Sequence, residues 1–241
     1  MNPISDTFED LAHALRVLLE ADFRAKAGGL LHVDRAEAVG NIESALAGVL
    51  NSFHSLYDAT SKDDSLSIDW QATPELSTIL ALRNARHHNH AKKIRTLYTF
   101  YNQEAEKVGR METYVLLDFP ATEDGGDTFD LYLSWKDLKH LLSMPQSTTR
   151  IRPANAEAIR KYLGAGRFAA YAKGYDQSED RVFFNIVPLI CNAAAILAPK
   201  IFSLVTPKST ESQTYLWLFS DMPQSDTSKP EVNCGPVAFM P

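Results

Sequence analysis

The sequence predicts a mainly α-helical protein: a helical bundle of three N-terminal helices and a late, long apolar helix, with a small α+β insertion that contains a β-hairpin. Three observations lead to this prediction. Apolar residues recur at spacings of three and four in the N-terminal part. A long apolar run covers residues 182–205. Residues 113–133 include segments rich in β-branched and aromatic side chains.

The first two helices have clear boundary signals. Residues 6–27 place apolar side chains on one helical face, and Gly28 begins a glycine pair that ends the pattern. Asp34 is expected to cap the second helix, because Glu37 follows three residues later in a capping-box arrangement. We expect that helix to end near Tyr57.

From residue 73 onward the pattern passes from helix to strand. Thr73 followed by Pro74 predicts the start of the third helix, since a threonine cap and a proline in the first turn favour helix initiation. This helix is expected to run to about Val108. Residues 113–119 and 128–133 then predict two strands joined as a hairpin by an acidic, glycine-containing link.

The remaining elements are helical. Ser134 is expected to cap a short helix that ends at Leu142, and Pro153 to open another that ends near Tyr162. Residues 181–205 predict the last major helix. Its asparagines and prolines favour a buried helix over a membrane span, because polar groups and prolines are costly in lipid.

These elements predict one helical domain with an elaboration. We assign residues 1–205 to a single domain, with the insertion at about 110–180, and residues 206–241 to a partly disordered tail. Within that tail, residues 215–219 could add a strand to the hairpin.

Composition restricts the functional classes. With 241 residues and 45% hydrophobic content, the chain can bury a sizeable core. Cys191 and Cys234 have no metal-ligand neighbours in the sequence, which indicates a reducing compartment and no thiolate zinc site. The absence of a secretory signal predicts a cytoplasmic location. A net charge of −6 argues against non-specific coating of nucleic acid.

The densest polar chemistry lies within the third predicted helix. Residues 76–103 contain no acidic residue, and their five basic residues are Arg83, Arg86, Lys92, Lys93 and Arg95. This basic island in an acidic chain indicates an anionic partner. On an ideal helix His87 and His90 lie within about 40° of the direction of Arg83, whereas His88 points about 140° away.

The order Arg83, Asn84, then His88 after four intervening residues or His90 after six, resembles the motif of the HEPN superfamily. The closest family pattern has Tyr where this chain has His90. The resemblance covers the three N-terminal helices and the late apolar helix. It implies a metal-independent endoribonuclease that acts as a homodimer, often as a toxin or an antiviral effector, with RNA as substrate and an antitoxin or other protein as partner.

The chemistry of RNA cleavage fits these side chains. Cleavage without metal or cofactor needs a base for the 2′-hydroxyl proton, an acid for the leaving 5′-oxygen and a cation for the phosphoryl charge. His88 or His90 can serve as acid and base, and Arg83 as the cation. The further candidates for substrate binding surround them and are Asn84, Arg86, His87, Lys92 and Lys93.

Two other interpretations of this stretch remain open. Arg83, His87 and His90 can form a polar seam inside a bundle. Their partners would then be backbone carbonyls or carboxylates such as Asp10, Glu43 or Asp58. In that case the protein would be a non-catalytic scaffold or binding protein with the seam at a dimer or partner interface. His87 and His90 can also bind a metal, although no Asp, Glu or Cys nearby completes a ligand set, so we predict no metal site.

Overall fold

The computed structural model describes residues 2–63, 66–87, 94–104, 113–120 and 129–236. Within these ranges the fold is mainly helical, as predicted, and it contains a small mixed sheet. The helices are α1 Pro3–Ala25, α2 Leu30–Val33, α3 Arg35–Thr60, α4 Pro74–His87, α5 Leu97–Glu104, α6 Trp135–Ser143, α7 Gln146–Thr149, α8 Pro153–Tyr162, α9 Phe168–Gly174, α10 Val187–Ile201 and α11 Thr210–Asp221. The strands are β1 Thr113–Asp118, β2 Tyr132–Ser134, β3 Val182–Asn185 and β4 Glu231–Pro236.

The chain divides into two compact units. The first consists of Met1–Arg83 and Ile190–Gln224, and the second of Asn84–Leu189 and Ser225–Pro241. The insertion predicted at about residues 110–180 lies inside the second unit, which also takes in the residues after 83 and the C-terminal strand β4.

In the first unit α1 and α3 pack along each other, and their apolar faces are buried. Asp34 caps α3 as predicted, because its carboxylate accepts a hydrogen bond from the backbone N–H of Glu37 at 2.9 Å. α4 begins at Pro74, also as predicted. Trp70, before α4, is buried and donates from Nε1 to Thr60 Oγ1 at the end of α3, at 3.0 Å.

The start of the predicted tail is built into the first unit. Ser5 Oγ donates to the carbonyl of Leu204 and accepts from the N–H of Thr206 at 2.9 Å. Ser209 then forms a capping box with Ser212 and opens α11. Residues 215–219 are therefore helical, and the alternative that they add a strand is wrong.

The second unit contains a four-stranded sheet in the order β2-β3-β1-β4. β1 pairs parallel with β3 and antiparallel with β4, while β2 pairs antiparallel with β3. The predicted hairpin is therefore wrong, because β3 lies between β1 and β2, the two strands that the hairpin would have joined. The C-terminal segment predicted as tail supplies β4, which pairs with the whole of β1 from Thr113 to Asp118.

The long apolar helix predicted over residues 181–205 is also wrong. Val182 to Asn185 form strand β3, buried at every position, and a 15-residue helix, α10, follows. The strand-favouring run Val182, Phe183 and Phe184 pairs with both β1 and β2, and Pro188 suits the first turn of α10. Within the described residues, no helix is both long and apolar enough to cross a membrane.

Asn185 joins the ends of three strands in the second unit. Its side chain is fully buried; Nδ2 donates to Asp118 at 2.9 Å and to Asp130 at 3.0 Å. Its Oδ1 accepts from the N–H groups of Leu131 and Val187, both at 3.1 Å. The asparagine thus satisfies the polar backbone where β3 gives way to α10.

The third predicted helix is shorter than expected. α4 ends at His87, and Ile94 to Thr96 are not helical. Thr96 instead forms an isolated antiparallel bridge with Leu133, after which α5 begins at Leu97. One continuous helix from residue 76 to residue 103 is therefore wrong. The predicted alignment of His90 with Arg83 lies outside the described residues.

Candidate functional site

Arg83, the predicted phosphate-binding arginine, lies half-buried in α4 of the first unit. Its Nε donates a hydrogen bond to the side-chain oxygen of Asn51 in α3, at 3.3 Å. Burial lowers the pKa of Arg83 below its ordinary value, and the negative charge of Asp58, also in α3, acts in the opposite direction. The guanidinium remains a cation at neutral pH. The hydrogen bond to Asn51 therefore orients this guanidinium from α3.

The residues of α3 that act on Arg83 form a polar face with a histidine between them. Taking Asn51 as reference, His54 lies about 60° and Asp58 about 20° away around an ideal helix. His54 Nδ1 lies 3.3 Å from Asp58 Oδ2, and its ring makes an edge contact with Tyr57, with 5.6 Å between ring centroids. We call Asn51, His54, Asp58 and Arg83 the Arg83 cluster.

The Arg83 cluster is open to solvent on the α3 side. Asn51 and Asp58 are exposed, whereas His54 and Arg83 are half-buried. The side chain of His54 keeps 25% of its surface accessible. An imidazole beside a carboxylate can transfer protons and a guanidinium can bind an anion, so the cluster contains the groups that both tasks require.

The structure describes only part of the predicted site. Asn84 follows Arg83 in α4 and is half-buried. Arg86 and His87 belong to the last turn of α4, but their side chains lie outside the described part. The remaining predicted site residues lie outside the described residues altogether: His88, His90, Lys92 and Lys93.

One member of the basic island has a structural role. Arg95 is bound by Asp137 in the second unit through a fork: Nε to Oδ2 at 2.7 Å and Nη2 to Oδ1 at 2.9 Å. The same carboxylate accepts from the backbone N–H of Arg95 at 3.1 Å. The guanidinium also lies over the ring of Phe100, 4.6 Å from its centroid. The charge of Arg95 is therefore compensated inside the protein, and it does not add to an RNA-binding surface.

Sequence reasoning missed Asn51 and His54 as members of a site with Arg83, and it considered Asp58 only as a counter-charge. The available signal was their spacing: residues 51, 54 and 58 are three and four apart, so they share a helical face. That spacing identifies a polar face of α3 but not its neighbour. Only the packing of α3 and α4 shows that the face meets Arg83.

A second polar cluster, around Asn185, belongs to the sheet of the second unit. Asp118 and Asp130 are hydrogen-bonded to the amide of Asn185, as described above. Among the described residues, no group of three or more His, Cys, Asp or Glu side chains is arranged to hold a metal ion.

No protein-family model, no curated protein and no solved structure matches the chain.

Proposed function

We propose that this protein is a metal-independent endoribonuclease of HEPN type that acts as a homodimer in the cytoplasm. The observation that supports the proposal best is the position of Arg83: a half-buried guanidinium oriented by the neutral amide of Asn51 on a partly exposed face. An oriented guanidinium can bind a phosphate through charge-assisted hydrogen bonds without first reorganising its own side chain.

In this proposal Arg83 stabilises the negative charge that develops on the phosphoryl oxygens. His88 or His90 exchanges protons with the reacting oxygens, and Asn84 and the basic residues that follow hold the RNA chain. The products are a 2′,3′-cyclic phosphate and a 5′-hydroxyl. The resemblance implies that a second protomer supplies another Arg/His set, and that a toxin of this kind is controlled by a partner protein.

The test is cleavage of a mixed-sequence RNA in the presence of a chelator. We expect the native chain to cleave and Arg83→Ala to lower the rate roughly 100-fold to 1,000-fold, the magnitude typical of removing one donor from a developing oxyanion. His88→Ala and His90→Ala identify the imidazole that acts with Arg83.

Arg24→Ala is the matched control, because Arg24 is an exposed arginine of α1 that pairs with Glu20 four residues away. It should leave the rate unchanged. If the folded native chain does not cleave, or if Arg83→Ala cleaves as fast as Arg24→Ala, the ribonuclease proposal is wrong.

A second candidate is a non-catalytic scaffold or binding protein whose Arg/His stretch lies at a dimer or partner interface. The charge of Asp58 beside Arg83 favours it, because an arginine balanced within its own unit can have a purely structural role. Arg83→Glu distinguishes the two ideas by sedimentation. If the native dimer has no activity in chelator and Arg83→Glu dissociates it, the scaffold is supported. If the native dimer is active in chelator, the nuclease is supported.

A further inference from the structure

Charge is distributed unevenly along the chain. Residues 138–175 contain seven basic residues and one acidic residue, so this segment has a net charge of +6, whereas the rest of the chain has −12. The segment runs from within α6 to the residue after α9, and it belongs entirely to the second unit. The net charge of −6 for the whole chain therefore conceals a basic segment that can attract a polyanion.

Most cations of this segment are exposed and have no carboxylate partner. Two of the seven are paired: Lys139 lies 2.7 Å from Glu179, and Arg160 lies 3.6 Å from Glu157. The other five are exposed, and no acidic side chain in the described part of the chain forms an ion pair with them. These five are Arg150, Arg152, Lys161, Arg167 and Lys173. Their positive charge is therefore left uncompensated at the surface.

Two of these cations mark the ends of α8. Arg152 is the residue that precedes the first turn, and Lys161 lies in the last turn. They are nine residues apart, which corresponds to about 13.5 Å along a helix. Helix stability does not explain Arg152, because a cation is unfavourable at the positive N-terminal end of a helix and no acidic residue in the first turn offsets it. A ligand with phosphates along its length would compensate both charges.

The next helix, α9, adds an aromatic side chain to the basic segment. Arg167, Tyr171 and Tyr175 are spaced by four, which places them on one side of the helix. The guanidinium of Arg167 lies over the ring of Tyr171, 5.7 Å from its centroid, and donates to the carbonyl of Ser228, which leaves its charge uncompensated. The Tyr175 hydroxyl donates to the carbonyl of Val232 at 3.0 Å, while 45% of the residue is exposed. A fixed, exposed ring suits the stacking of a base.

We infer that residues 150–175 form a binding surface for single-stranded RNA. The five exposed cations bind its phosphates, and Tyr175 stacks on one unpaired base. The choice of RNA rests on the ribonuclease proposed above, but this binding needs neither Arg83 nor a histidine of the motif. A membrane suits the surface less well, because membrane-binding helices present an apolar face. In the described part of the second unit, Tyr175 is the only exposed large hydrophobic side chain.

The test measures binding of a fluorescent RNA of about 15 nucleotides, long enough to cover one binding site of this kind. Its 2′-hydroxyls are methylated, so the proposed cleavage cannot occur. Fluorescence anisotropy in chelator gives Kd over a series of salt concentrations. We expect log affinity to fall with log salt at a slope of about −3.5, because each of five phosphate contacts on a single strand contributes about −0.7.

The decisive variant is Arg152→Gln/Lys161→Gln, which removes two exposed cations without breaking an ion pair among the described residues. At about 50 mM salt it should weaken binding roughly tenfold or more and reduce the slope by about 1.4. The matched control, Arg24→Gln/Lys62→Gln, removes two exposed cations from the first unit. It should keep the native Kd and slope. If both double variants bind alike, or if the native chain does not bind, the inference is wrong.

Tyr175→Leu tests the stacking separately. It should weaken binding roughly tenfold with the native salt slope, because stacking on a ring involves no counterion. Tyr175→Phe keeps the ring and loses the hydrogen bond to Val232, so it should bind nearly as tightly as the native chain. Equal affinities of the Leu and Phe variants would contradict the role of Tyr175. Circular dichroism identifies any loss that comes from misfolding.

The outcomes distinguish this surface from the cleavage site. If the native chain cleaves RNA and needs Arg83, but the two double variants bind alike, only the surface is wrong. If the predicted binding pattern is found without cleavage of unmodified RNA, the ribonuclease proposal fails and the surface stands. Tighter binding of single-stranded DNA, phosphatidylserine vesicles or poly-glutamate that depends on Arg152 and Lys161 would overturn the choice of RNA.

Discussion

Arg83 and Arg95 come from the same basic stretch, yet they have different surroundings in the two units. In the second unit, Arg95 is held by two hydrogen bonds to the carboxylate of Asp137, and the exposed fractions of the two side chains are 14% and 4%. In the first unit, Arg83 donates from Nε to the neutral amide of Asn51, on a face where Asn51 and Asp58 are exposed.

The difference shows how a structural arginine can be distinguished from a candidate ligand-binding one. A forked pair with a buried carboxylate uses the planar donors of the guanidinium and compensates its charge. The hydrogen bond from Nε to the Asn51 amide orients the guanidinium of Arg83, and the carboxylate whose charge acts on it, that of Asp58, is exposed. Arg95 therefore stabilises its unit, whereas Arg83 has the proposed role of binding phosphate.

The strongest test of this comparison is Arg95→Ala. We expect it to lower the free energy of unfolding by about 3 kcal/mol, because it leaves the buried carboxylate of Asp137 without its main counter-charge. Urea unfolding followed by circular dichroism measures the change. The control is Lys136→Ala, which removes an exposed pair with Asp180 and should cost about 0.5 kcal/mol. Equal costs for the two variants would contradict the structural role of Arg95.

Arg83→Ala is expected to have a smaller effect on stability. Loss of the hydrogen bond to Asn51 should lower the free energy of unfolding by about 1 kcal/mol. Asn51→Ala should cost a similar amount, and the double variant less than the sum, because both remove the same bond. The same urea titrations measure all three variants. If Arg83→Ala lowers the free energy of unfolding as much as Arg95→Ala does, Arg83 is a structural arginine like Arg95.

The smallest expected effect is a difference in the pH response of two carboxylates, one from each unit. Burial raises the pKa of Asp22 in the first unit, against the hydrogen bond and charge of Lys26, so the folded state holds that proton more tightly. At Glu179, in the second unit, burial acts to raise the pKa, but hydrogen bonds from Lys139 and Trp135 outweigh it and lower the value.

The signs of the two effects are opposite. The contribution of Asp22 to stability increases as pH falls from neutral towards its folded pKa, whereas that of Glu179 is lost as pH falls through its folded pKa. Relative to the native chain, Asp22→Asn should therefore lose stability between pH 7 and about pH 4, and Glu179→Gln should gain it. Unfolding curves at pH 7 and at about pH 4 measure the two changes in stability. Changes of the same sign for the two variants would contradict the opposite pKa shifts of Asp22 and Glu179.

Much of the helical framework could be predicted because its signals are local. Asp34, Pro74, Ser134 and Pro153 mark helix starts in the sequence, and α3, α4, α6 and α8 begin there. A cap needs only the N–H groups of the next turn, so a short window of sequence contains the information.

The strands could not be paired from the sequence, because their partners lie far away in the chain. The apolar run from Val182 suits a helix or a buried strand equally well until β1 and β2 are placed beside it. Strand β4 begins at Glu231 and has no buried position, so its pairing with β1 is what identifies it.

The sequence by itself determined where α3, α4, α6 and α8 start, that the protein is mainly α-helical, and that Arg83 lies in a basic island free of acids. These properties depend on neighbours in the chain. Only the tertiary structure decided that β3 separates β1 from β2, that Asp137 binds Arg95, and that Asn51 of α3 accepts a hydrogen bond from Arg83. Such contacts join segments distant in sequence, and their energy depends on packing and burial that no local pattern records.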